Sequence, residues 1–166
     1  RLKNKARYSI NTKMTPNLFA QKIRGGKKTI LFELVPPPID TPASEIKLSL
    51  SLFSKLIAPY QVDAVNLPEI VDEKGRGKRS SSYRPKVQPL AISPYLKADG
   101  LPNIIINRPI VYLPWEKQKK WLTKAYTDYK IKNFVFVGGA SSQIRYPGVH
   151  PHEAVKSIKS EHKDEF

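Results

Sequence analysis

The chain has 166 residues, the size of one domain and well short of the ~250 that a complete eight-unit β/α barrel needs. Its composition, 40% hydrophobic, 26% charged and 10% aromatic, is that of a folded globular protein, and no apolar run approaches the ~20 residues that span a bilayer. The formal net charge is +15 and there is no cysteine, which excludes disulfides, thiolate metal sites and a cysteine nucleophile.

The charge is unevenly spread. Residues 1–28 hold nine Lys or Arg and no acid, whereas the rest of the chain has twenty basic and fourteen acidic side chains. The first segment therefore reads as a basic N-terminal arm, with Arg1, Lys3, Lys5, Arg7 and Lys13 at its start. A solvated tail, a contact to nucleic acid or another anionic surface, and the remnant of a targeting presequence all fit such an arm. Met14 is also a candidate translation start. Thr15-Pro16 predicts a helix N-terminus, and Leu18, Phe19 and Ile23 continue a short amphipathic helix that Gly25-Gly26 ends.

A β/α domain is expected over residues 29–159, with a polar tail at 160–166. Thr29 to Val35 is nearly continuous in apolar character, as a strand covered on both faces should be, and Pro36, Pro37 and Pro38 stop it. Ile46, Leu50, Phe53 and Ile57 then recur at helical spacing up to Pro59. Val62 to Leu67 is a second strand, followed by a basic loop with Arg76, Lys78, Arg79, Arg84 and Lys86. After a proline-dotted segment around Ser93-Pro94-Tyr95-Leu96, Asn103 to Val111 reads as a third strand. Trp115 to Tyr129 is an amphipathic helix with Trp115, Leu122, Ala125, Tyr126 and Tyr129 on one face and lysines on the other. Asn133 to Val137 is a fourth strand closed by Gly138-Gly139, and Pro151 to Lys159 is a final helix. Strands alternating with helices imply a parallel sheet in an α/β fold.

The strand ends narrow this further. Phe32 to Pro38 (FELVPPP) resembles the first-strand signature of the methylenetetrahydrofolate reductase family, an aromatic, a glutamate and several prolines. Val62 to Gly77, Asn103 to Leu122 and Lys132 to Gly148 resemble, in order, units two, three and four of a reductase-like branch of that family. The resemblance implies four consecutive parallel β/α units, a half or incomplete (β/α)8 barrel, with a site at the C-terminal ends of its strands. It implies Glu33 as a general acid that protonates a folate nitrogen before hydride transfer from reduced flavin. A glutamate suits that task because burial can keep such a carboxyl protonated near neutral pH. Asn66, Asn107, Arg108, Gly138 and Gly139 fall where the family contacts flavin adenine dinucleotide. Arg108 offers a cation for a phosphate or carboxylate, and the double glycine with Ser141 and Ser142 offers backbone N–H groups to an anion, although a double glycine after a buried strand is more often a tight turn.

The chain also departs from the family. The acid usual after the fourth strand is replaced by Ala140, and four parallel strands leave two edges and an inner face to be covered. His150, His152 and Glu153 stand together without further ligands and read as surface residues. Two functions follow. One is a non-catalytic, RNA-contacting subunit of a ribonucleoprotein such as an organellar ribosome, holding no cofactor and contacting neighbouring protein subunits. The other is the N-terminal portion of an FAD-dependent reductase of the cytoplasm.

Overall fold

The computed structural model describes residues 17–72, 82–98 and 103–161. Its core is one four-stranded sheet in the order β1-β2-β3-β4. The strands are β1 (Leu31–Glu33), β2 (Ala64–Pro68), β3 (Ile104–Pro109) and β4 (Asn133–Val137). All three neighbouring pairs are parallel. The helices are α1 (Leu18–Arg24), α2 (Ala43–Ile57), α3 (Pro89–Ala98), α4 (Trp115–Thr127) and α5 (Pro151–Glu161). The architecture is α/β, with the sheet order and alternation of a half β/α barrel.

Successive strand residues face opposite sides, and the two sides differ here. Val65, Leu67, Ile104 and Ile106 point outward into the main core, where Leu50 and Ile57 of α2, Ile92 and Leu96 of α3, and Ala125 of α4 close over them. Phe136 packs with Ile110, Val111 and Ala154 of α5 in a second cluster. On the other side Phe19 of α1 covers Ala64 and Ile105, so the helix before the sheet fills the inner face near the strand starts. Beyond it Leu31, Val135 and Val137 stay 48%, 49% and 38% exposed. Polar contacts hold α1 in place: Lys22 Nζ donates to Asp63 Oδ1 at 2.6 Å, and Asn17 Nδ2 donates to Asn133 Oδ1 at 2.7 Å.

Several expectations change in detail. The N-cap of α1 is Asn17, whose side chain accepts from the Ala20 amide at 3.1 Å; Thr15 and Pro16 lie outside the described residues. The third strand stops at Pro109 and turns into a 3-10 segment over Ile110–Tyr112. The proline-dotted segment is helix α3, with Pro94 inside it. Proline removes the amide that would bond the Leu90 carbonyl, and Ser93 Oγ donates to that carbonyl instead at 3.1 Å. Helix α2 buries the expected face, yet Leu48, Leu52 and Leu56, four residues apart, form a second apolar stripe that is exposed.

Candidate functional site at the strand C-terminal ends

Glu33 ends β1, and Asn66 is its register partner in β2. Because Asn66 shares the pleat side of Ala64, and Asn107 that of Ile105, both amides stand on the inner face with Glu33. Asn66 Nδ2 donates to Glu33 Oε2 at 2.9 Å, and this carboxylate acceptor fixes which way the amide points. Asn66 Oδ1 is thereby turned away from the carboxylate. Both Asn66 Oδ1 and Asn107 Oδ1 are buried without a hydrogen-bond partner. An orphaned buried acceptor costs about 1–3 kcal/mol, so these two, on neighbouring strands of the inner face and one of them bonded to a carboxylate, are positions that can receive N–H or O–H donors.

Arg108 leaves this cluster. It follows Asn107 in the same strand and faces the opposite side, where it is 4% exposed. Its Nε donates to Gln118 Oε1 at 2.9 Å, its Nη1 pairs with Glu69 Oε2, and its guanidinium lies 4.2 Å over the Trp121 ring. Gln118, fully buried on α4, spends its own amide on the carbonyls of Pro109 and Ile110, at 3.3 and 2.9 Å. The expected anion-holding cation is a packed structural ion pair. Neither Gln118 nor Glu69 was anticipated; the lone apolar-face glutamine of α4 and the alternation of β3 were the available signals.

The double glycine after β4 is a packing device in the structure. A Cβ on Gly139 would overlap the Tyr146 ring, whereas one on Gly138 would meet only Pro151 Cγ at 3.8 Å. Tyr146 also accepts from the Ser141 amide at 3.2 Å and stacks edge-on against Tyr112 at 5.1 Å. The Ser141 amide, one of the N–H groups an anion would use, is thereby taken by the Tyr146 hydroxyl. His150 opens α5: its amide donates to Glu153 Oε2 at 3.1 Å, and its Nδ1 accepts from the His152 amide at 3.3 Å. Among the described residues no group of three His, Asp or Glu side chains could hold a metal.

Of the basic loop, Arg84 pairs with Asp40 at 2.8 Å, and the Arg84 hydrogen bond holds the Asp40 carboxyl below its ordinary value. Lys86 forms a backbone bridge with Pro38, which staples this loop to the one after β1. Arg76, Lys78 and Arg79, like Arg1, Lys3, Lys5, Arg7 and Lys13, lie outside the described residues. A cationic feature not anticipated as a site is the solvent face of α4. Lys117, Lys120 and Lys124, at spacings of three and four, are exposed there. Lys119 on the same helix is by contrast paired with Glu116 at 2.9 Å, which raises its ammonium above the ordinary value. A scan against protein-family models finds no match, and no curated protein matches the sequence.

Proposed function

We propose that this chain is a non-catalytic, RNA-contacting subunit of a ribonucleoprotein assembly such as an organellar ribosome, built on a half-barrel that resembles the methylenetetrahydrofolate reductase family. The observation that carries the reading is the lysine row of α4. Its three ammonium groups stand on one helical face, and no ion pair to an acid engages them among the described residues. They add to the acid-free charge of residues 1–28, of which Arg24, Lys27 and Lys28 are exposed where α1 ends. Cations with no internal partner to give up bind phosphates through counterion release, with affinity that is strong, salt-dependent and indifferent to sequence. The inner-face carboxylate supports the same reading: Glu33 is exposed, and Ala140 supplies no second acid.

The test is binding of a labelled single-stranded RNA across a salt series. Replacing Lys117, Lys120 and Lys124 together by Gln should flatten the log–log salt slope by about 2, at ~0.7 for each phosphate no longer neutralised. Binding that ignores both salt and the substitutions would overturn the proposal.

One observation favours a ligand-binding reading. The orphaned oxygens of Asn66, which is bonded to Glu33, and of Asn107 on the next strand suit the ring N–H groups of a heterocycle. The rest of a dinucleotide site does not fit, because Arg108 is consumed by Glu69 and Gly139 is covered by Tyr146. Visible absorbance of stoichiometric flavin in the purified chain, with reductase activity lost in Glu33→Gln, would put the reductase reading first.

A further inference from the structure

The last strand borders a groove of about 710 Å³ that separates α1 from α5. Phe19 and Ile23 of α1 form one wall, Val155 and Ile158 of α5 the other, and Val135 and Phe136 of β4 lie between them. Of these, Ile23, Val135 and Val155 are left in water at 51%, 49% and 40% exposed, while Phe19 and Ile158 are buried at the base of the groove. The charged residues of the lining are Arg24, Lys132 and Lys159, and all are positive.

We infer that this groove is a docking site for an extended, acid-flanked apolar segment of a partner protein, added as a strand alongside β4. Three features point to that occupant. The strand pairs with β3 alone in the described sheet, and a terminal strand of a parallel sheet presents backbone donors and acceptors along its far edge. An extended polypeptide segment matches them at the ~4.8 Å strand spacing. Side chains of Val135 and Phe136 face opposite sides of the pleat, and both sides meet apolar walls, so the incoming strand is itself apolar on both faces. The cations at the margin select carboxylates beside that apolar stretch and disfavour a second copy of this chain, whose net charge is +15. A nucleic acid would satisfy the cations and leave the apolar walls and the strand edge unmatched. The inference does not rest on the RNA reading, which is carried by the lysines of α4 and shares only Arg24 with this groove.

The experiment uses the full chain and a fluorescent synthetic peptide in which alternating valine and isoleucine are flanked by pairs of glutamate. Binding is followed by anisotropy, and amide hydrogen exchange is measured over β4. The peptide should bind and slow exchange at Val135 and Phe136. Arg24→Glu with Lys159→Glu should weaken binding about tenfold or more, and Val155→Asp should abolish it while circular dichroism stays unchanged. A peptide flanked by lysines should not bind. Equal binding of that peptide would overturn the inference, as would no binding of the glutamate peptide. So would competition for the groove by oligouridine, or sedimentation as a dimer that Val155→Asp returns to monomer.

Discussion

Arg108 Nε donates to Gln118 Oε1 at 2.9 Å beneath helix α4, in the covered layer of the sheet. The contact ties the end of β3 to the helix that follows it, and Glu69 ties the same guanidinium to the end of β2. Removing one partner of such a buried ion pair leaves the other charge without compensation. Arg108→Ala should therefore lower stability by about 3–5 kcal/mol, read from urea unfolding. Arg108→Lys should recover part of this, since a lysine keeps the charge but loses the planar fork and the stacking on Trp121. A stable Arg108→Ala protein that had lost only anion binding would contradict the structural role.

Ser93 and Pro94 give a second expected outcome. The Ser93 hydroxyl serves the Leu90 carbonyl that Pro94 cannot reach with an amide. Ser93→Ala should cost about 1 kcal/mol. In a Pro94→Ala background the restored amide serves that carbonyl, so the same Ser93→Ala change should cost less. Equal costs in the two backgrounds would sink this account.

The turn after β4 should respond to added volume. Gly139→Ala should destabilise by about 1–3 kcal/mol because the Tyr146 ring must leave its place against Tyr112. Pairing it with Tyr146→Ala should give a combined loss smaller than the sum of the two single losses. Strict additivity in thermal unfolding would show that the ring and the glycine do not share the site.

Asp63 sets an acid limb on stability. The hydrogen bond from Lys22, with a second from the Ile30 amide at 2.8 Å, holds its carboxyl below the ordinary value. Between that lowered value and the unfolded value near ~3.9, the unfolded chain binds more protons, so stability rises with pH across this window. The contribution is complete above it and disappears as pH falls through the folded value. Urea midpoints from pH ~2 to ~5 should fall more steeply toward acid for the native protein than for Asp63→Asn. Parallel curves would show that the contact with α1 is not linked to folding.

Local pattern was enough to find β4 at its observed bounds, the buried face of α2 and the parallel alternation, because apolar periodicity and proline or glycine stops act within a few residues. Helix α3 was missed for the same reason: Pro94 reads locally as a breaker, and the compensating Ser93 bond exists only once the helix is packed. At the candidate site, Glu33 and Asn66 fall in β1 and β2, within the strands the sequence pattern marks. Their hydrogen bond depends on the β1–β2 register, which no local signal specifies. Asn107 and Arg108 stand side by side in sequence, yet the pleat sends one to the inner face and the other under α4. Which side became the inner one was decided by where the helices bury their apolar stripes, a property of the assembled sheet.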